Sequence, residues 1–244
     1  NSDRAGNMNI WLHKLDDGGE RQLTKGPGGD YQADWSPDGR SIVFFSSRSG
    51  NADIWRVDVA SGDSLVRLTD HEGLDINPFY SPDGARIAFM SDRGGRSELW
   101  VMNADGSGQR RVSDAEASGH FVRWFDGGRR ITFASGDGSD RVIRAADVGS
   151  GVLETMRPIS SGAHMSFSPD ETRILETAGH RVLWVYTLSD GSRAKVLEFP
   201  DPDIRVDYPV WSPDGRHAVF DRVAPRGGDI WVLEGLAADG ADAR

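Results

Sequence analysis

The hydrophobic pattern of the chain is a series of short apolar runs set between turn-forming clusters. Ile42-Val43-Phe44-Phe45, Ile87-Ala88-Phe89-Met90 and Ala218-Val219-Phe220 are rich in β-branched and aromatic side chains. Runs this short read as strands, and their continuity predicts burial on both faces. Ser47-Arg48-Ser49-Gly50-Asn51 turns the chain after the first run. The segment that follows alternates, with Ile54, Arg56 and Asp58 on one face and Trp55, Val57 and Val59 on the other. Such alternation marks a half-exposed strand. Ahead of the runs stands Ser-Pro-Asp-Gly, at 36–39, 81–84 and 212–215. In it proline presets the backbone, aspartate caps the turn through its side chain and glycine accepts a positive φ.

Residues 31–69 therefore predict four strands, at 32–35, 41–46, 53–59 and 65–69, and this unit recurs. The aromatic residues that close its first strand, Trp35, Tyr80, Trp124, Phe167 and Trp211, fall 45, 44, 43 and 44 positions apart. Four-stranded units of about 40 to 45 residues are the blades of a β-propeller. The third and fourth units are worn copies: Phe125-Asp126-Gly127-Gly128 replaces the proline turn, Ser168-Pro169-Asp170-Glu171 lacks the glycine, and Arg144 stands where a tryptophan is expected. Residues 1–11 read like 46–55, so the chain begins inside a unit and further sequence is expected upstream. An isolated strand pair, at 9–15 and 21–24, precedes the five units, and no fourth strand follows Trp231. Because closure removes sheet edges, the expected fold is an all-β propeller of four-stranded antiparallel blades. It would be six-bladed, with the sixth blade incomplete, in one domain over 1–244 with a frayed tail at 236–244. The alternative is a five-bladed ring whose last blade the N-terminal strands complete.

Composition narrows the function. The longest apolar stretches fall far short of the roughly 18 residues a spanning helix needs, so membrane insertion is not expected. A net charge of −10 argues against nucleic acid, which demands clustered Lys and Arg. The chain has no cysteine, which removes disulfides and thiol catalysis and leaves the compartment open.

The succession W-S-P-D-G, then I-x-F-x-S-x-R-x-G, then I-W-V-M-N-x-D-G, then R-x-L-T resembles the PD40 repeat, the WD40-like unit of TolB-like propellers. The resemblance extends over essentially the whole chain, and it is also similar to the propellers of tricorn protease and the prolyl oligopeptidases. It implies a non-catalytic, periplasmic or otherwise extracytoplasmic scaffold that binds a protein or peptide and needs no cofactor. The alternative it implies is the substrate-gating propeller of a prolyl-oligopeptidase-type serine peptidase whose catalytic domain lies elsewhere. Fold alone does not choose between them.

Chemistry leaves few marks. No serine has the glycines of a G-x-S-x-G elbow, and the six histidines show neither H-E-x-x-H nor H-x-H spacing, so neither a catalytic set nor a metal set is expected. Asn103-Ala104-Asp105-Gly106 reads as an ordinary turn. The repeat supplies a filter: residues that recur serve the blade, and residues that break the pattern are free to serve a site. Arg4, Arg48 and Arg93 recur after the second strand and read as turn residues paired to acids. Asp30 and Asp75 recur five positions before their aromatics, as turn caps or as groups at a channel mouth. Asp34 and Arg123 precede the blade aromatic where other units have Phe79, Ser166 and Val210, while His120, His164, Asp207 and Tyr208 lie at or near the channel end of the innermost strand. Charges placed there must meet water, a counter-charge or a ligand. Asp30, Asp34, Asp75, His120, Arg123, His164, Asp207 and Tyr208 are thus the candidate binding residues.

Overall fold

The computed structural model describes residues 1–14, 18–62, 64–136, 140–159, 164–225 and 227–236, without the side chains of 119–121 and 158. The expected tail lies almost wholly outside them. Contacts divide the chain into two compact units, Asn1–Asp137 with Val142–Arg157, and Pro158–Arg244 with Gly138–Arg141.

In the first unit, β1 (Trp11–His13) and β2 (Glu20–Gln22) form a two-stranded sheet. Three four-stranded antiparallel sheets follow, each in simple chain order. They are β3 (Asp30–Trp35), β4 (Ser41–Ser46), β5 (Asp53–Asp58) and β6 (Leu65–Arg67); β7 (Asp75–Tyr80), β8 (Arg86–Ser91), β9 (Glu98–Asn103) and β10 (Arg110–Glu116); and β11 (Ser118–Phe125), β12 (Arg130–Ser135), β13 (Val142–Asp147) and β14 (Leu153–Pro158). The second unit holds the four-stranded sheet β15 (Met165–Phe167), β16 (Arg173–Ala178), β17 (Val182–Thr187) and β18 (Arg193–Glu198), then the three-stranded sheet β19 (Arg205–Trp211), β20 (His217–Ala224) and β21 (Gly227–Glu234). The protein is an all-β propeller of four-stranded antiparallel blades. Among the described residues five sheets are blades, the count of the five-bladed alternative, with β1 and β2 as a separate pair.

The apolar runs become the second strands of their blades and are buried on both sides in β4 and β8, while in β20 Val219 is exposed; Phe44, Phe89, Phe133 and Phe220 are almost fully enclosed. The cores lie between successive sheets: Val43 and Ile54 of one blade pack with Tyr80, Ile87, Phe89 and Met102 of the next. Three of the five aromatics at the 44-residue period stitch blades together. Trp124 Nε1 donates to the Phe79 carbonyl (2.9 Å), Trp211 Nε1 donates to that of Ser166 (3.1 Å), and the Tyr80 hydroxyl meets Ser41 Oγ at 3.0 Å.

The Ser-Pro-Asp-Gly turn closes on itself. Ser36 Oγ donates to Asp38 Oδ1 (2.6 Å), which also accepts from the Arg40 amide, while Ser41 N donates back to Ser36 Oγ and Gly39 takes φ 69°. The fourth unit keeps this geometry without its glycine. Ser168 Oγ still donates to Asp170 Oδ1 (2.6 Å), and Glu171 is held at φ 58°, a region glycine enters far more easily.

Candidate functional site

Asp30 and Asp75 each form a buried ion pair with an arginine, Arg48 and Arg93 respectively. Arg48 Nη2 donates to both Asp30 oxygens at 2.7 Å, and Thr24 Oγ1 donates to the same carboxylate at 2.5 Å. Arg93 Nη2 reaches Asp75 at 2.7 Å. Each guanidinium also donates to the serine that ends the second strand, Ser46 or Ser91, and lies against the third-strand tryptophan, Trp55 or Trp100. Arg4 repeats the arrangement with Ser2 and Trp11, taking Glu20 as its acid.

The innermost strands carry a local irregularity that shapes the candidate site. Strands β3, β7, β11 and β19 each shift register partway along, and Gln32, Asn77 and Tyr208 sit there at φ 49°, 54° and 50°. Asparagine tolerates this conformation; a tyrosine held in it is an outlier of the kind that clusters at functional positions.

In the first unit Asp34 lies just past the irregularity. Its Oδ2 accepts the Tyr80 amide at 2.9 Å, so the side chain bridges two blades. Burial raises its carboxyl above the ordinary carboxylate range, opposed by the Tyr80 and Trp35 amides and by the charge of Arg123. Arg123 stacks on Phe79 with its guanidinium carbon 3.9 Å from the ring centre, and donates to the Val122 carbonyl at 2.9 Å. Tyr31 and Trp35 on the same stretch are exposed. His120 belongs to β11, and its side chain lies outside the described residues.

In the second unit three of the expected residues meet. His164 Nδ1 lies 2.8 Å from Asp207 Oδ1, and Tyr208 stacks on the His164 ring with 4.1 Å between centres. Sequence reasoning missed the fourth member, His180, whose Nδ1 lies 2.5 Å from the same Asp207 oxygen. A signal for it existed: His180 follows Phe167 by the interval at which Arg48 follows Trp35 and Arg93 follows Tyr80, so it breaks the repeat at the arginine position. The cluster is partly sheltered, its side chains retaining 17% (His164), 28% (His180) and 14% (Asp207) of their exposure, whereas Tyr208 is 55% exposed. Asp221 stands opposite Asp207 across β19 and β20. Burial and the charge of Asp207 raise its carboxyl, and His164 counters them.

Repeated blades and a polar cluster on the innermost strands define a β-propeller whose candidate site sits where the repeat is broken. The model of the PD40 family, described as the TolB beta propeller domain, matches residues 60–215, and the chain belongs to that family. It is 43% identical over 44 residues to the Tol-Pal system protein TolB of Bordetella pertussis, a match covering 18% of this chain and 10% of that protein. The crystal structure of TolB from Acinetobacter baumannii superposes with a TM-score of 0.76 at 19% identity, over 93% of this chain and 57% of that one. An oligogalacturonate lyase in complex with manganese has the same fold (TM-score 0.72, 16% identity, 95% of this chain and 72% of that one). The chain thus spans little more than half of the TolB structure, and enzymes and non-enzymes share its architecture. Among the described residues no helix is long and apolar enough to cross a membrane.

Proposed function

We propose that the protein is a non-catalytic propeller that binds a protein or peptide partner in the bacterial cell envelope, through the ends of its innermost strands. The observation that carries this reading is membership of the TolB propeller family together with exposed aromatic groups beside polar, repeat-breaking residues on those strands. Exposed tyrosine and tryptophan next to arginine and aspartate make the type of surface on which binding energy concentrates. In the first unit the residues are Tyr31, Asp34, Trp35 and Arg123; in the second, His164, Asp207 and Tyr208.

The test is affinity capture from envelope extract, with cross-linking and mass spectrometry to locate the contact. One specific protein should be captured and should cross-link to innermost-strand residues, and Tyr31→Ala or Tyr208→Ala should weaken capture at least tenfold, roughly 1.4 kcal/mol or more for a central aromatic anchor. Capture unchanged in both variants, with each folded by circular dichroism, would overturn the assignment of the surface. A gene that continues into an α/β-hydrolase domain would instead favour the peptidase-gating role.

A further inference from the structure

We propose that His164, His180 and Asp207 bind one divalent transition-metal ion of the zinc class. The three side chains each present a ligand atom, and these atoms lie within 4.8 Å of one another. Both imidazoles direct Nδ1 at a single carboxylate oxygen, at 2.8 and 2.5 Å. Adjacent donors on a tetrahedral ion with bonds of about 2.1 Å stand about 3.4 Å apart, so the two nitrogen–oxygen contacts must open by about 0.6–0.9 Å to admit the metal between them. Two imidazoles and one carboxylate are borderline ligands suited to Zn2+ and its neighbours, whereas Ca2+ needs six or more oxygens. The remaining coordination positions fall to water or to an oxygen of a bound group.

The backbone holds the donors in place. His164 N donates to Thr177 Oγ1 at 2.9 Å, and the Thr177 amide donates to the His164 carbonyl. The His180 carbonyl accepts the Val206 amide at 2.7 Å, tying the β16–β17 turn to β19 and therefore to Asp207. Tyr208 covers one face of His164, and Asp221 faces Asp207 across the β19–β20 pair. The arrangement departs from the rest of the molecule at its defining position. Where two earlier blades pair a permanent cation with a buried aspartate, this one has an imidazole, His180, against an aspartate on the first strand of the following blade. An arginine there would fill the site with its own charge; a histidine leaves it able to accept an ion, and the ion takes the place of the imidazole protons that now face the carboxylate.

The reading stands apart from the partner-binding proposal, since the probe is the metal alone. ZnCl2 is titrated calorimetrically into the 244-residue chain freed of metal by chelator, with CaCl2 in a parallel arm. One Zn2+ per chain should bind and Ca2+ should not, and His180→Ala and Asp207→Asn should each weaken Zn2+ at least tenfold. His71→Ala, in an exposed turn remote in sequence, should leave it unchanged. Unfolding followed in parallel guards against misfolded variants: excess Zn2+ should raise the melting temperature of the native chain and not that of the variants. Absence of Zn2+ binding, equal affinity in the variants, or loss of binding in His71→Ala would each overturn the site, leaving a hydrogen-bonded His-Asp-His cluster only.

Discussion

The ionic residues divide by what surrounds them. Arg48 and Asp30 retain 10% and 1% of their side-chain exposure, so each is the other's replacement for water. Arg48→Ala strands a buried carboxylate and should lower stability by about 3–5 kcal/mol in urea unfolding. Arg129→Ala, which removes an exposed pair with Asp126, should change it by less than about 1 kcal/mol. Asp34 behaves differently because its environment disfavors the charged form. A carboxyl raised in the folded state contributes stability below its unfolded pKa and loses it as pH rises through the folded value. Asp34→Asn should therefore be at least as stable as the native chain at pH 7, with the difference shrinking toward pH 4. A variant clearly less stable at pH 7 would show that the Tyr80 amide hydrogen bond and the Arg123 charge together outweigh burial at this carboxylate. The ion pairs of Asp30 and Asp75 were half legible in sequence, because recurrence marked them as blade residues or channel-mouth groups without saying which. His180 escaped notice because a lone histidine in a turn carries no spacing motif; only its offset from Phe167 betrays it.

At the scale of the element, the strands are the most legible part of the molecule. The second strand was expected at 41–46, where β4 lies, and β5 and β6 stop one and two residues short of expectation, at Asp58 and Arg67. Continuous apolar runs locate themselves; edge strands, with one unpaired side, do not. The irregularity in β3, β7, β11 and β19 was not legible, because a register shift leaves no composition of its own when Gln32, Asn77 and Tyr208 occupy it. The turn at Glu171 makes a separable prediction. Held at φ 58° where its counterparts are Gly39, Gly84 and Gly215, it should gain about 0.5–1 kcal/mol on Glu171→Gly, the reverse of the usual effect of introducing glycine. A fall in the thermal midpoint would mean that the side-chain contacts of Glu171 outweigh the backbone strain.

For the whole molecule, the repeat explains both what was foreseen and what was not. Propeller architecture follows from one period, while the grouping of His164, His180 and Asp207 from three separate stretches of chain depends on the fold itself. The blade count was harder: a strand pair at one end and a three-stranded sheet at the other fit two expectations, and five blades are present among the described residues. Labour is divided between repeated residues, which build the blade, and residues that break the repeat, which are proposed to serve the site. This division is tested most directly by urea unfolding of Asp75→Asn beside Tyr208→Gly. Asp75→Asn, leaving the Arg93 guanidinium without its buried counter-charge, should lose about 3 kcal/mol or more. Tyr208→Gly, which relieves a tyrosine from a left-handed backbone, should be as stable as the native chain or more so. A loss in Tyr208→Gly as large as that in Asp75→Asn would make Tyr208 a blade residue and contradict the account.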